Sequence, residues 1–156
     1  MKNASQPPGL IWRVMRQLNL RIARNYQRGI GPGSTVLLLT TTGRRSSLPR
    51  LTPLQYEQEN RVYYVGSARG ASADWFRNIQ ANPQVEVQVR RQRFRGMAEP
   101  VTDPVRIADF LELRLRRHPI MIGLLMRLEG LPLKHTRLDL ERFAAGKALV
   151  IIKPLA

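Results

Sequence analysis

The chain has 156 residues, 43% hydrophobic and 24% charged, with no cysteine and a formal net charge of +15. This length suits one domain with its own core. The missing cysteines exclude disulfides and thiolate metal sites, and no run approaches the roughly 18 apolar residues that a membrane-spanning helix needs.

The positive charge is uneven and almost wholly arginine. The first acidic residue is Glu57, and Lys2, Arg13, Arg16, Arg21, Arg24, Arg28, Arg44, Arg45 and Arg50 all precede it. Such a field attracts polyanions: nucleic acid, anionic lipid, or a phosphorylated and carboxylated cofactor. Arginine meets phosphate and carboxylate with a planar fork of donors.

Residues 1–8 read as a loose tail without the apolar core of a signal peptide. Residues 9–27, "GLIWRVMRQLNLRIARNYQ", place Leu10, Trp12, Met15, Leu18, Ile22 and Tyr26 near one face and predict an amphipathic helix. The glycines of "RGIGPGS" precede a strand instead of following one, so they are a breaker and not a dinucleotide fingerprint. Strands follow over 35–42, 50–57 and 61–67, with Glu59-Asn60 as a tight connection between the last two.

Residues 72–83 predict a helix with Ser72 as N-cap and Asn82-Pro83 as its stop. In "QVEVQVRR" (84–91) the valines 85, 87 and 89 should face inward and Gln84, Glu86 and Gln88 outward. A hairpin across Arg91-Gln92 leads to 93–101. Asp103 caps a helix to about Arg117, with Pro104 at its first position. His118-Pro119 interrupts it, and a very apolar helix spans 120–131. The stretch "HTRLDLERF" is ambiguous, and 148–154 is a final strand.

About six strands with three or four helices, joined by local hairpins, do not make the alternation of a doubly wound sheet. They predict an α+β chain, mainly β: a single small antiparallel barrel over 9–156 with external helices, including a helical insert at 104–131.

Side-chain chemistry alone is sparse. His118 and His135 are each isolated, so no metal site is expected, and no nucleophile elbow or phosphate loop is present. An enzyme built this way needs a cofactor for the difficult step. The segment "TTTGRRSSLPR" (40–50) offers backbone donors near Gly43, hydroxyls at Ser46 and Ser47, and the cations Arg44, Arg45 and Arg50. Its chemistry fits either a solvated basic turn or an anion cradle.

In order along the chain, "VLLLTTTGRRSSLPRLTPL", "VYYVGSARG", "ADWFRNIQANPQVEVQV" and a terminal "LVIIKP" resemble the deazaflavin-dependent nitroreductase family. The resemblance implies the split β-barrel shared with FMN-binding flavoreductases. It implies coenzyme F-420, an 8-hydroxy-5-deazaflavin carrying a phosphodiester and an oligoglutamate tail, with FMN as the alternative. By position it implies that Arg44, Arg45, Ser46 and Arg50 hold the phosphate and tail, and that Thr52, Pro53 and Leu54 line the ring. Ser67, Arg69 and Gly70 would close over the cofactor, and Trp75 would flank the ring. The chain departs from the family at Ser47, where the pattern has glycine, and at Ala68, where lysine is frequent. It also lacks tyrosines in its last third.

The resemblance further implies hydride transfer to a small acceptor: a quinone, nitro compound or activated alkene. A non-catalytic F-420 carrier and a basic nucleic-acid-binding module are the competing readings. The aromatic content of 6% speaks against stacking on single strands. A cytoplasmic protein is expected, with peripheral membrane contact through the apolar faces of 10–26 and 119–131, and a homodimer, left open.

Overall fold

The computed structural model describes residues 36–67 and 69–155. The expected tail and the helix over 9–27 lie outside them. Among the described residues are seven strands, all paired antiparallel: β1 (Val36–Thr42), β2 (Pro49–Gln55), β3 (Glu57–Glu59), β4 (Val62–Ser67), β5 (Gln84–Val89), β6 (Gln92–Val101) and β7 (Ala148–Pro154). Their order is β2-β1-β5-β6-β7-β4-β3. The helices are α1 (Asp74–Ala81), α2 (Pro104–Arg117), α3 (Pro119–Leu128) and α4 (Arg137–Ala144). β2 and β4 are far apart in the sheet order yet touch, so the sheet curls. The architecture is the expected α+β split antiparallel barrel with external helices.

Strand β7 shows why the barrel needs those helices. A strand sends alternate side chains to opposite faces, yet "ALVII" is apolar throughout. Ala148, Val150 and Ile152 enter one core with Leu37, Leu39, Val65, Val87 and, from α1, Phe76 and Ile79. Leu149 and partly buried Ile151 enter a second, with Phe110, Leu111, Ile122, Met126 and Leu140 from the helices. A strand covered on both faces reads as a continuous apolar run.

Several boundaries shift. The single strand expected over 50–57 is two, because the chain passes from pairing with β1 to pairing with β4 at Tyr56. The β3–β4 turn is Asn60-Arg61, both at positive φ (50° and 64°), one residue beyond the predicted connection. That conformation is the mirror-image turn that matches strand twist. The β5–β6 turn is Arg90-Arg91, not Arg91-Gln92. Gln88 is buried rather than outward, and its amide donates to the Arg90 carbonyl at 3.0 Å.

Ser72 is not the cap of α1. It ends a single 3-10 turn, Gly70–Ser72, where its hydroxyl donates to the Arg69 carbonyl at 2.6 Å, and Ala73 takes the cap position without a side-chain bond. Asp103 caps α2 as expected, accepting from the Val105 amide at 3.1 Å. The ambiguous segment is α4, opened by a reciprocal box in which Thr136 and Asp139 satisfy each other's backbone amides.

Candidate functional site

A cavity of about 970 Å³ opens between the β2 and β4 side of the barrel and the helices α2 and α3. That is the size of a cofactor-class site. Of the residues singled out in the sequence, Thr52, Pro53, Leu54, Ser67, Arg69 and Trp75 line it. They come from three segments that only the fold brings together. Trp75 is half-buried and packs edge-on against Phe76 at 6.2 Å between ring centroids.

Gly66 also borders the cavity, and a Cβ there would lie 3.3 Å from the Phe110 ring, so the missing side chain lets α2 close over β4. Buried Ser67 spends its hydroxyl on the Gly70 carbonyl at 2.7 Å, shaping the strand end rather than offering a free donor. Gly70 is not part of the lining. It has φ +60°, and a Cβ would stand 2.7 Å from the Gly146 carbonyl oxygen, so it serves the close approach of two turns.

The basic loop after β1 is outside the cavity lining but is fastened to its edge. Gly43 and Leu48 close the loop through a backbone bond of 2.8 Å. Arg44 reaches α1. Its backbone amide and Nη1 donate to Asn78 Oδ1 at 3.2 and 3.0 Å, and Nη2 donates to Asp74 Oδ1 at 3.1 Å. Buried Asn78 completes the clamp by donating to Thr41 Oγ1 at 3.2 Å. Asp74 and Trp75, the first turn of α1, line the cavity. Arg44 therefore acts as a tether, while exposed Arg45 and Arg50 carry the outward charge. Arg50 Nη2 donates to Ser46 Oγ at 3.3 Å. Ser47 stands at φ 59°, a left-handed conformation that glycine would adopt without strain.

The far wall is legible only in part from the sequence: the apolar face of 119–131 is expected as an acceptor pocket, while the share of α2 and of Lys147 is missed. That wall contributes Phe110, Ile122, Met126 and two cations, Arg114 and Lys147. Lys147 is engaged, 3.1 Å from Glu129 Oε2 and 4.4 Å above the Phe143 ring. Arg114 lies near buried Glu57, whose oxygens receive Arg117 Nη1 at 3.1 Å and His118 Nε2 at 2.9 Å. Burial pulls the Arg114 guanidinium below its ordinary pKa, and the Glu57 charge acts in the opposite direction. The available signal was Glu57 itself: an acid within a strand pattern must find cations if it is buried.

A family model described as F420H(2)-dependent quinone reductase matches residues 12–119. The F420H(2)-dependent quinone reductase Rv1261c of Mycobacterium tuberculosis is 41% identical over 68 residues, 42% of this chain and 46% of that protein. The alignment thus spans about half the length of the curated relatives. Among solved structures, one described as a domain-swapped dimer superposes with TM-score 0.55 at 20% identity, covering 94% of this chain and all (100%) of that one. The F420-H2 dependent reductase FDR-A gives 0.51 at 21% identity over 76% and 94%. The conserved hypothetical protein Rv2991 from Mycobacterium tuberculosis gives 0.56 at 16% over 78% and 74%. At these identities the structures share the barrel.

Proposed function

The chain belongs to the F420H(2)-dependent quinone reductase family, and from that premise we propose that it binds reduced F-420 and delivers a hydride to a quinone-type acceptor. One observation carries the reading: Thr52–Leu54, Ser67 and Trp75, from three separate segments, form one wall of a cofactor-sized cavity whose edge holds the basic loop.

The donor set fits F-420. Arg45, Arg50, Ser46 and Arg69 hold phosphate and carboxylates by charge-assisted bonds. Thr52, Pro53, Leu54 and Trp75 give a flat, largely apolar surface for a fused ring. Bound F-420 supplies the hydride at C5. With the cofactor held there, Phe110, Ile122 and Met126 would keep water from the opposite wall and hold an acceptor ring in place, and such fixed geometry removes much of the entropic barrier. Solvent supplies the proton that completes reduction.

The proposal extends to a cytoplasmic chain meeting an anionic membrane, where apolar quinones dissolve. Ile120, Met121, Leu124 and Leu128 on α3 are 86%, 56%, 56% and 77% exposed, with Arg116 and Arg127 nearby. Apolar side chains with flanking cations suit peripheral contact. Recovery of all the protein in the soluble fraction after flotation with anionic liposomes would remove this part. A homodimer is proposed on the same footing, for sedimentation analysis to test.

The deciding experiment titrates F-420 and FMN in parallel by fluorescence, then measures quinone-dependent oxidation of reduced F-420. Saturable F-420 binding with turnover is expected. FMN binding alone means a flavin barrel, and F-420 binding without turnover means a carrier.

A further inference from the structure

We infer that Arg114 is the acceptor-side oxyanion donor of the cavity, a guanidinium that recognises a ring oxygen carrying negative charge. The inference rests on the proposed function and adds a residue that the basic-loop argument does not reach.

Three cations line the cavity, and their surroundings differ. Arg69 is exposed at the rim. Lys147 is paired with Glu129 and stacked on Phe143. Arg114 is one-quarter exposed (24%), and its Nε is buried without a hydrogen-bond partner. Glu57 does not satisfy it. The closest approach, Arg114 Nε to Glu57 Oε1, is 3.8 Å, and that oxygen already meets His118 while Oε2 meets Arg117.

Glu57 therefore keeps two shorter partners of its own. It lends Arg114 a compensating charge without occupying its donors. The guanidinium also rests 5.8 Å from the Phe110 ring centroid, and Phe110 lines the same cavity. A partly exposed cation that lines the cavity, rests on an aromatic face and makes no hydrogen bond of its own is preorganised for an anionic or polarised oxygen.

The chemistry needs such a group. On reduction, the acceptor gains a hydrogen and two electrons from reduced F-420, which leaves oxidised. The C–H bond of the reduced deazaflavin breaks and its hydride bonds to one quinone oxygen, so that one ring C=O becomes C–OH while the other becomes C–O⁻, and a solvent proton on that oxygen then gives the hydroquinone. Arg114 stabilises the C–O⁻ between those two events.

The test compares two ligands of one ring size on the full chain by calorimetry, with and without oxidised F-420. They are 2-hydroxy-1,4-naphthoquinone, ionised at neutral pH, and uncharged 2-methyl-1,4-naphthoquinone. The wild-type chain should prefer the anion by ~10-fold, the worth of one charge-assisted bond. Arg114→Met should bring the two to near parity, and Arg114→Lys should keep part of the preference. In turnover, Arg114→Met should lower kcat more than it raises KM. An undiminished preference in folded Arg114→Met overturns the inference. If that variant does not fold, Arg114→Gln carries the same comparison. Failure to bind F-420 would sink the functional reading but leave the anion preference measurable. F-420 binding with an Arg114-independent preference would sink this inference alone.

Discussion

At the scale of residues, three neighbouring arginines divide two duties. Arg44 and Asn78 form the clamp between the basic loop and α1. Asn78→Ala removes bonds to Thr41 and Arg44 from a buried position and should cost about 1–3 kcal/mol of stability, read from urea unfolding. Arg45→Ala and Arg50→Ala should leave the melting curve in place and weaken F-420 binding by about 1–3 kcal/mol each. The opposite assignment, with stability falling and binding intact, would make the loop a plain turn. Ser47 offers a second residue-level test. Its φ of 59° is adopted in spite of a Cβ. Ser47→Gly should be neutral or mildly stabilising, and the β-branched Ser47→Val should lose about 1–2 kcal/mol, since the left-handed conformation crowds its side chain. Thermal melts of the two variants give the comparison.

At the scale of elements, what was legible depended on whether the signal was local. Asp103-Pro104 announces the start of α2 because a cap and a fixed φ act within one turn. Thr136 and Asp139 carried a signal of the same kind for α4, overlooked amid the surrounding polar residues. The break at Tyr56 was not legible. It arises because β2 and β3 serve different partners, a fact of topology and not of local preference. For the same reason Thr52, Pro53, Leu54 and Trp75 were named together only through the family resemblance, and Arg114 and Phe110 were not named at all. Their place depends on how α2 lies across Gly66.

The caps also set the acid response. Hydrogen bonds from the Thr136 backbone, then its side chain, hold the Asp139 carboxyl below its ordinary pKa, and the Arg106 hydrogen bond does the same for Glu99. A depressed folded-state pKa means stability that is present above the unfolded value and lost as pH falls through the folded one. Asp139→Asn and Glu99→Gln should flatten the acid limb of a stability-versus-pH curve and leave its neutral-to-alkaline shape unchanged. An acid limb as steep as in the parent would refute this origin.

At the scale of the whole molecule, the chain carries a net charge of +15, and among the described residues the cavity joins the lining cations Arg69 and Arg114 to a deep lining that is largely apolar. The two features suit a ligand with an apolar ring and an anionic tail, and they should separate under salt. Ions screen exposed charges beyond about 10 Å at 0.1 M and about 3 Å at 1 M, while a ring held in an apolar wall is little affected. F-420 binding should therefore weaken by ~10-fold or more between low and high salt, because long-range attraction of a multiply charged tail is lost. FMN, with one phosphate, should lose less, and an uncharged naphthoquinone should change little. Nucleic acid would also show a steep slope, but it would not be displaced from the chain by the deazaflavin ring without its tail. Competition titrations at two salt concentrations, with F-420 and with the ring-only deazaflavin, separate the two. Salt-insensitive F-420 binding would mean that the arginine excess serves another partner and that the cavity wall alone holds the cofactor.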